Sequence, residues 1–158
     1  DGISKHLERV IGASVTIKRD LVEADEYDQG LRHLLNLGHT IGHALERVSN
    51  FELSHGWCVA AGLCMTARAC ARMGFCDETF AKEVEELVKQ YGLPTDCDLG
   101  DDLLYEAMLS DKKIVGDRID LVIMEGWGKC SVKSEPSGKL KEYLALSHEE
   151  AQVTWMHA

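Results

Sequence analysis

The 158 residues predict a mostly α-helical, multi-helix domain carrying one small antiparallel β-hairpin. Three observations support this. Apolar residues recur at mixed three- and four-residue spacing over most of the chain, the period of one helix face. Only two prolines occur, Pro94 and Pro136, and both sit beside other loop signals. A β-branched, strand-like run appears only after Lys113. With 45% hydrophobic residues the chain can bury a single core, so residues 1–158 read as one domain.

From Ile3 to about Ala24, Leu7, Val10, Ile11 and Ile17 mark a first helix. A second runs from about Leu31 to Val48. His55 to Met73 is rich in Ala, Leu, Val, Met and Cys, with few charges before Arg68, so it reads as a buried central helix. Gly74 stops it, and Asp77 is placed to cap a helix from Glu78 to Tyr91. Gly92-Leu93-Pro94 ends that one, and Asp101 to Leu109 is a shorter helix. Arg118 to Met124 is a strand, Glu125-Gly126-Trp127-Gly128 a turn, and Lys129 to Lys133 the returning strand. Leu140 to about Gln152 is helical again.

A net charge of −10 leaves no basic footprint for nucleic acid. It still permits a small anionic substrate, because a few cations can gather in one cleft. No apolar run approaches the ~20 residues that span a bilayer. No signal peptide is visible, and the start at Asp1-Gly2-Ile3-Ser4, without Met, reads as a cut into a longer chain. The six cysteines form no C-x-x-C pair, so the expectation is free, mostly buried thiols in a reducing cytoplasm. There is no glycine-rich phosphate loop and no GxGxxG, hence no means here of holding a dinucleotide.

The informative segment is Arg32 to Glu46. On a continuous helix, Arg32, Asn36, His39 and His43 fall within about 60° of one another. A solvated face is normally built from Lys and Glu, which favour helix, whereas Asn and His do not. Gly38 and Gly42 each cost about 1 kcal/mol inside a helix, which points to close approach of another backbone or of a ligand. His39 and His43, one turn apart, suit a metal-binding helix, although the Glu of H-E-x-x-H is absent. An antiparallel return over the loop Ser49 to Ser54 brings His55 alongside. Spacing alone does not say which imidazoles hold metal, and Zn²⁺, Fe²⁺ and Co²⁺ all suit them.

The block Leu35-Asn36-Leu37-Gly38-His39-Thr40-Ile41-Gly42-His43-Ala44-Leu45-Glu46, with Lys18, Arg32, His55-Gly56, Val59-Ala60-Ala61-Gly62 and Asp111-Lys112-Lys113 in order around it, resembles the C-terminal domain of 3-dehydroquinate synthases. The resemblance runs from about Ile3 to Leu144. It implies an enzyme converting 3-deoxy-D-arabino-heptulosonate 7-phosphate to 3-dehydroquinate and phosphate in the shikimate pathway. It also implies Zn²⁺ (or Co²⁺) on His39 and His55, with a third ligand from outside the chain. NAD would sit on an N-terminal α/β domain of the same protein, absent here. Lys18 and Arg32 would hold the substrate carboxylate, and Asn36, His43 and Lys112 or Lys113 the phosphate. His43, Asn36 and Arg32 would carry the chemistry. A homodimer is implied, and the chain by itself is expected to be inactive. One departure is plain: Trp57 stands where the family reads Glu after His-Gly, and Trp cannot orient a ligand histidine as a carboxylate does.

The nearest alternative is another sugar-phosphate cyclase, such as a 2-deoxy-scyllo-inosose synthase, acting on a hexose phosphate without a carboxylate. Lys18 together with Arg32 favours an acidic substrate. Iron-containing alcohol dehydrogenases also present spaced histidines but match the Leu35–Glu46 block less well. A non-catalytic helical metal-binding module is the alternative of another class.

Overall fold

Leu7, Val10, Ile11, Ser14, Lys18 and Leu21 share one face of the first helix, α1 (Leu7–Ala24), at about 100° per residue. That face is apolar except for Ser14 and Lys18, and α1 buries none of its residues; Val10 is 43% and Ile11 54% exposed. The computed structural model describes residues 5–27, 30–110 and 114–149. The chain divides into two units, one ending at Asn36 and the other beginning at Leu37. In the first, the Asp25 carboxylate accepts the backbone N–H groups of Gly30 (2.8 Å) and Arg32 (3.1 Å). These bonds start a 3₁₀ helix, Leu31–Asn36.

Here the structure corrects the sequence reading, because no single helix runs from Leu31 to Val48. Gly38 adopts φ +73°, in the left-handed region that glycine enters without penalty, and α2 (His39–Val48) starts immediately after it. The stripe of Arg32, Asn36, His39 and His43 required an unbroken helix. Only His39 and His43 keep that relation, on α2, while Arg32 and Asn36 belong to the 3₁₀ helix.

The second unit is built around α3 (His55–Arg72). Because nearly all its side chains are small or apolar, it can be covered on every side. Cys58, Ala61, Cys64, Met65, Ala67, Ala69 and Cys70 are fully buried. α4 (Glu78–Gln90) and α6 (Lys139–Ala145) pack against α3, and α5 (Asp101–Leu109) packs against α2 and α6. Asp77 is the N-cap of α4, as expected, but makes no side-chain capping bond. Ile41 and Leu45 of α2, Leu104 and Met108 of α5, and Leu140 and Leu144 of α6 complete the core. Each such side chain contributes about 1.5–3 kcal/mol by leaving water.

The hairpin is β2 (Arg118–Gly126) and β3 (Lys129–Pro136), following a two-residue strand β1 (Ile114–Val115) that the sequence reading missed. The antiparallel sheet has order β1-β2-β3, with Val122 opposite Val132 and an irregularity between Met124 and Gly126. α6 ends at Ala145, not near Gln152, and residues 146–149 leave the helix. All six cysteines are free, four of them buried. Burial pushes the Cys64 thiol up to about 12 and those of Cys70 and Cys97 to about 11. No described helix is long and apolar enough to cross a membrane.

What holds residues 146–149 is a buried polar cluster. Arg68 of α3 is 6% exposed. It donates to the carbonyls of Ser147 (2.6 Å) and Thr95 (2.5 Å) and to the carboxylates of Glu85 (2.7 Å) and Asp96 (3.1 Å). Arg72 donates to the carbonyls of Leu146 and His148. His148 is clamped between Asp96 at Nδ1 (2.9 Å) and Asp101 at Nε2 (2.8 Å), so both ring nitrogens donate and the ring is an imidazolium.

The hydrogen bond to Asp96 raises the His148 pKa above its ordinary 6.5, against the opposing effect of burial. Burial alone would raise that of Asp96. The bonds from His148 and from the backbone of Glu149 and Cys97 outweigh it and hold Asp96 below its ordinary 3.8. The stabilisation from His148 is therefore complete below about 6.5 and is lost as pH rises through its folded value. That from Asp96 is present above 3.8 and is lost as pH falls through its own depressed value. Thermal melts from pH 5 to 9 should show stability declining on the alkaline side, and His148→Gln should flatten that decline. An unchanged profile in the variant would remove His148 from the account.

Candidate metal centre

The close crossing of α2 and α3 builds the site, and glycines permit it. A Cβ on Gly62 would lie 2.3 Å from the carbonyl oxygen of Gly38 and 2.8 Å from the backbone nitrogen of Gly42. One on Gly42 would lie 3.2 Å from the carbonyl oxygen of Cys58. The cost of Gly42 inside a helix is thus explained by backbone against backbone, as the sequence suggested. Gly38 caps the helix, however, and Gly62 was not singled out. The loop Ser49–Ser54 reverses the chain through Asn50 (φ 51°) and Phe51 (φ 61°), a tight turn that returns α3 antiparallel beside α2.

Three imidazoles meet there. Ring centroids are 5.3 Å apart for His39 and His43, 5.3 Å for His39 and His55, and 6.0 Å for His43 and His55. His55 Nδ1 lies 2.8 Å from Glu46 Oε1, and His39 Nδ1 lies 2.9 Å from the carbonyl oxygen of Leu37. Carbonyl and carboxylate oxygens only accept, so in the neutral rings Nδ1 carries the proton and Nε2 the lone pair. Histidines that hold a metal are regularly fixed in this way, with the second nitrogen donating to a carboxylate or backbone carbonyl. Two imidazoles bound to one tetrahedral zinc at about 2.0–2.1 Å place their centroids about 5 Å apart. The His39–His55 and His39–His43 spacings, both 5.3 Å, fit that requirement equally. Ligand atoms of His43, Glu46 and His55 also lie within 4.8 Å of one another, a second way to hold a cation. Glu46 also accepts from His55 Nδ1 in this arrangement. Glu46 is largely buried, its side chain 15% exposed, whereas that of His55 is 57% exposed and leaves the site open on one side.

Trp57 does not enter this site. It lies about 200° around α3 from His55 and packs against the core beside Ser49, Leu53, Cys97 and Leu99. The carboxylate beside His55 is that of Glu46, on α2. Sequence reasoning missed Glu46, although it closes the very block that drew attention. Lys18, on α1, is exposed, and Arg32 and Asn36 are partly buried, all three in the unit that ends at Asn36. Arg32 also donates to the carbonyl of Glu26 at 3.3 Å. Lys112 and Lys113 lie outside the described residues.

The chain is thus a helical domain with a short antiparallel sheet and three histidines gathered where two helices cross. Residues 2–114 match the family described as 3-dehydroquinate synthase C-terminal, and the chain belongs to that family. It is 41% identical over 127 residues to the 3-dehydroquinate synthase of Dehalococcoides mccartyi, covering 80% of this chain and 35% of that protein. To that of Clostridium acetobutylicum it is 38% identical over 143 residues, covering 89% and 40%. The Streptococcus gordonii enzyme is 34% identical over 146 residues, covering 91% and 41%. The chain thus spans 35 to 41% of the length of these relatives. Among solved structures, a 2-deoxy-scyllo-inosose synthase complexed with carbaglucose-6-phosphate, NAD⁺ and Co²⁺ shares the fold. Its TM-score is 0.72 at 22% identity, over 89% of this chain and 41% of that one.

Proposed function

We propose that this chain forms the metal- and substrate-binding part of a 3-dehydroquinate synthase, which converts 3-deoxy-D-arabino-heptulosonate 7-phosphate to 3-dehydroquinate and phosphate. The observation that carries the reading is the pair His39 and His55, whose rings stand 5.3 Å apart with the Nδ1 of each beside an oxygen acceptor. Zn²⁺ or Co²⁺ held there supplies Lewis acidity towards the substrate's hydroxyl oxygens. Membership of the family adds the other roles. Lys18 and Arg32 hold the carboxylate, with Arg32 suited to a two-point contact. Asn36, His43 and Lys112 or Lys113 hold the phosphate, and His43 moves a proton there. NAD and the third metal ligand belong to an N-terminal domain of the longer protein, which would work as a cytoplasmic homodimer. The related cyclase activity on a hexose phosphate is the second reading, favoured by the shared fold.

The test is phosphate release by the longer protein from the seven-carbon acid phosphate, with and without NAD and Zn²⁺. We expect NAD-dependent release that falls on the order of 100-fold or more in His39→Ala, and none from residues 1–158 alone. Turnover by residues 1–158, or release without NAD, would contradict the proposal. Release from a hexose phosphate only would select the second reading.

A further inference from the structure

We infer that Glu46 is a positioning residue that fixes the tautomer of His55. This rests on the metal reading above and adds to it a residue with no role assigned by the family resemblance. A neutral histidine side chain in water favours the proton on Nε2, the atom that must instead be bare to bind a cation. The two histidines solve this problem differently. His39 donates Nδ1–H to a backbone carbonyl, that of Leu37, which no side-chain substitution removes. His55 depends on one side chain, the Glu46 carboxylate at 2.8 Å. His55 opens α3 and is more than half exposed, so packing alone does not hold its ring. Glu46 is two turns along α2 from His39 and largely buried, so it offers its oxygen from a fixed direction. The turn between them is itself pinned: the backbone N–H of Phe51 donates to the carbonyl of Glu46 at 2.8 Å. Residue 46 and the start of α3 are therefore held in one small frame.

A direct role as ligand is the competing use of Glu46, since its carboxylate lies in a possible cation group with His43 and His55. The two roles respond differently to substitution. Glu46→Gln keeps an oxygen that accepts from Nδ1–H but loses the charge a metal ligand would supply. Glu46→Ala loses both.

The experiment is long-range ¹H–¹⁵N correlation of the histidine rings in the ¹⁵N-labelled chain, metal-free, at a pH where the rings are neutral. It is followed by Co²⁺ titration of the same variants in the longer protein, whose N-terminal domain brings the third ligand. We expect Nδ1–H rings for His39 and His55 in the wild type and in Glu46→Gln. In Glu46→Ala, His55 should revert mainly to the Nε2–H form while His39 stays unchanged as the internal control. Co²⁺ should bind about 10–100-fold more weakly to Glu46→Ala and nearly normally to Glu46→Gln. An Nε2–H His55 in the wild type, or one indifferent to Glu46→Ala, overturns the inference, as does equal loss of Co²⁺ in both variants. Failure of Co²⁺ to bind the longer protein in any variant, with the tautomers as expected, would sink the metal reading and leave the Glu46–His55 tautomer control standing.

Discussion

Arg68→Met is expected to destabilise the Leu37–Ala158 unit by about 3–5 kcal/mol, the usual consequence of removing one partner from a buried ion pair. Methionine matches the volume and the apolar stem, so packing changes little. What is lost is a buried cation that serves Glu85, Asp96 and the carbonyls of Ser147 and Thr95 at once. Those carboxylates would remain mostly buried, at 15% and 16% exposure, and no longer balanced. Removing the partner leaves desolvation uncompensated, which is why the effect exceeds that of a surface ion pair. Urea unfolding, with the slope unchanged, measures it. A loss below about 1 kcal/mol would mean that the cluster is more hydrated than its burial indicates. Arg68→Lys should recover only part, since an ammonium cannot reproduce the planar fork of donors.

The second large effect is expected from Gly62→Ala. In an ordinary helix this substitution stabilises by up to about 1 kcal/mol. Here the new methyl would lie 2.3 Å from the Gly38 carbonyl oxygen, a backbone atom that cannot rotate away. The helices must separate, and overpacking of this kind costs about 1–3 kcal/mol, occasionally more. Separation also moves His39 and His43 away from His55, because all three are carried on the two crossing helices. Gly62→Ala should therefore lower thermal stability and weaken Co²⁺ binding together. Normal metal affinity in a destabilised variant would show that the crossing does not set the site.

Much of this was legible in the residues. The composition of His55–Met73 foretold a buried central helix, because small and apolar residues all round leave no face for water. The short loop Ser49–Ser54 foretold that His55 returns beside His39 and His43. The break at Gly38 was hidden, because a 3₁₀ helix followed by an α-helix shows nearly the same polar spacing as one continuous helix. Gly38 is needed twice over: its φ is left-handed, and a Cβ there would meet the backbone nitrogen of Leu63 at 2.9 Å. Arg68 looked like the first charge at the end of a buried helix, and its partners come from positions as far as Ser147. The early end of α6 has the same origin. The carbonyls of Leu146, Ser147 and His148 go to Arg72 and Arg68, a tertiary competition that local helix propensity does not register. Glu46 was read as part of a motif, and its contact with His55 depends on a turn through two left-handed residues.

We propose that the crossing of α2 and α3 presents His39 and His55 to one metal ion. X-ray absorption at the zinc edge of the metal-loaded longer protein tests it most directly. The account predicts two imidazole nitrogens per zinc at about 2.0–2.1 Å, with oxygen ligands completing the shell, and one imidazole fewer in His39→Ala and in His55→Ala. A shell with three imidazoles, or one unchanged by either substitution, would contradict it.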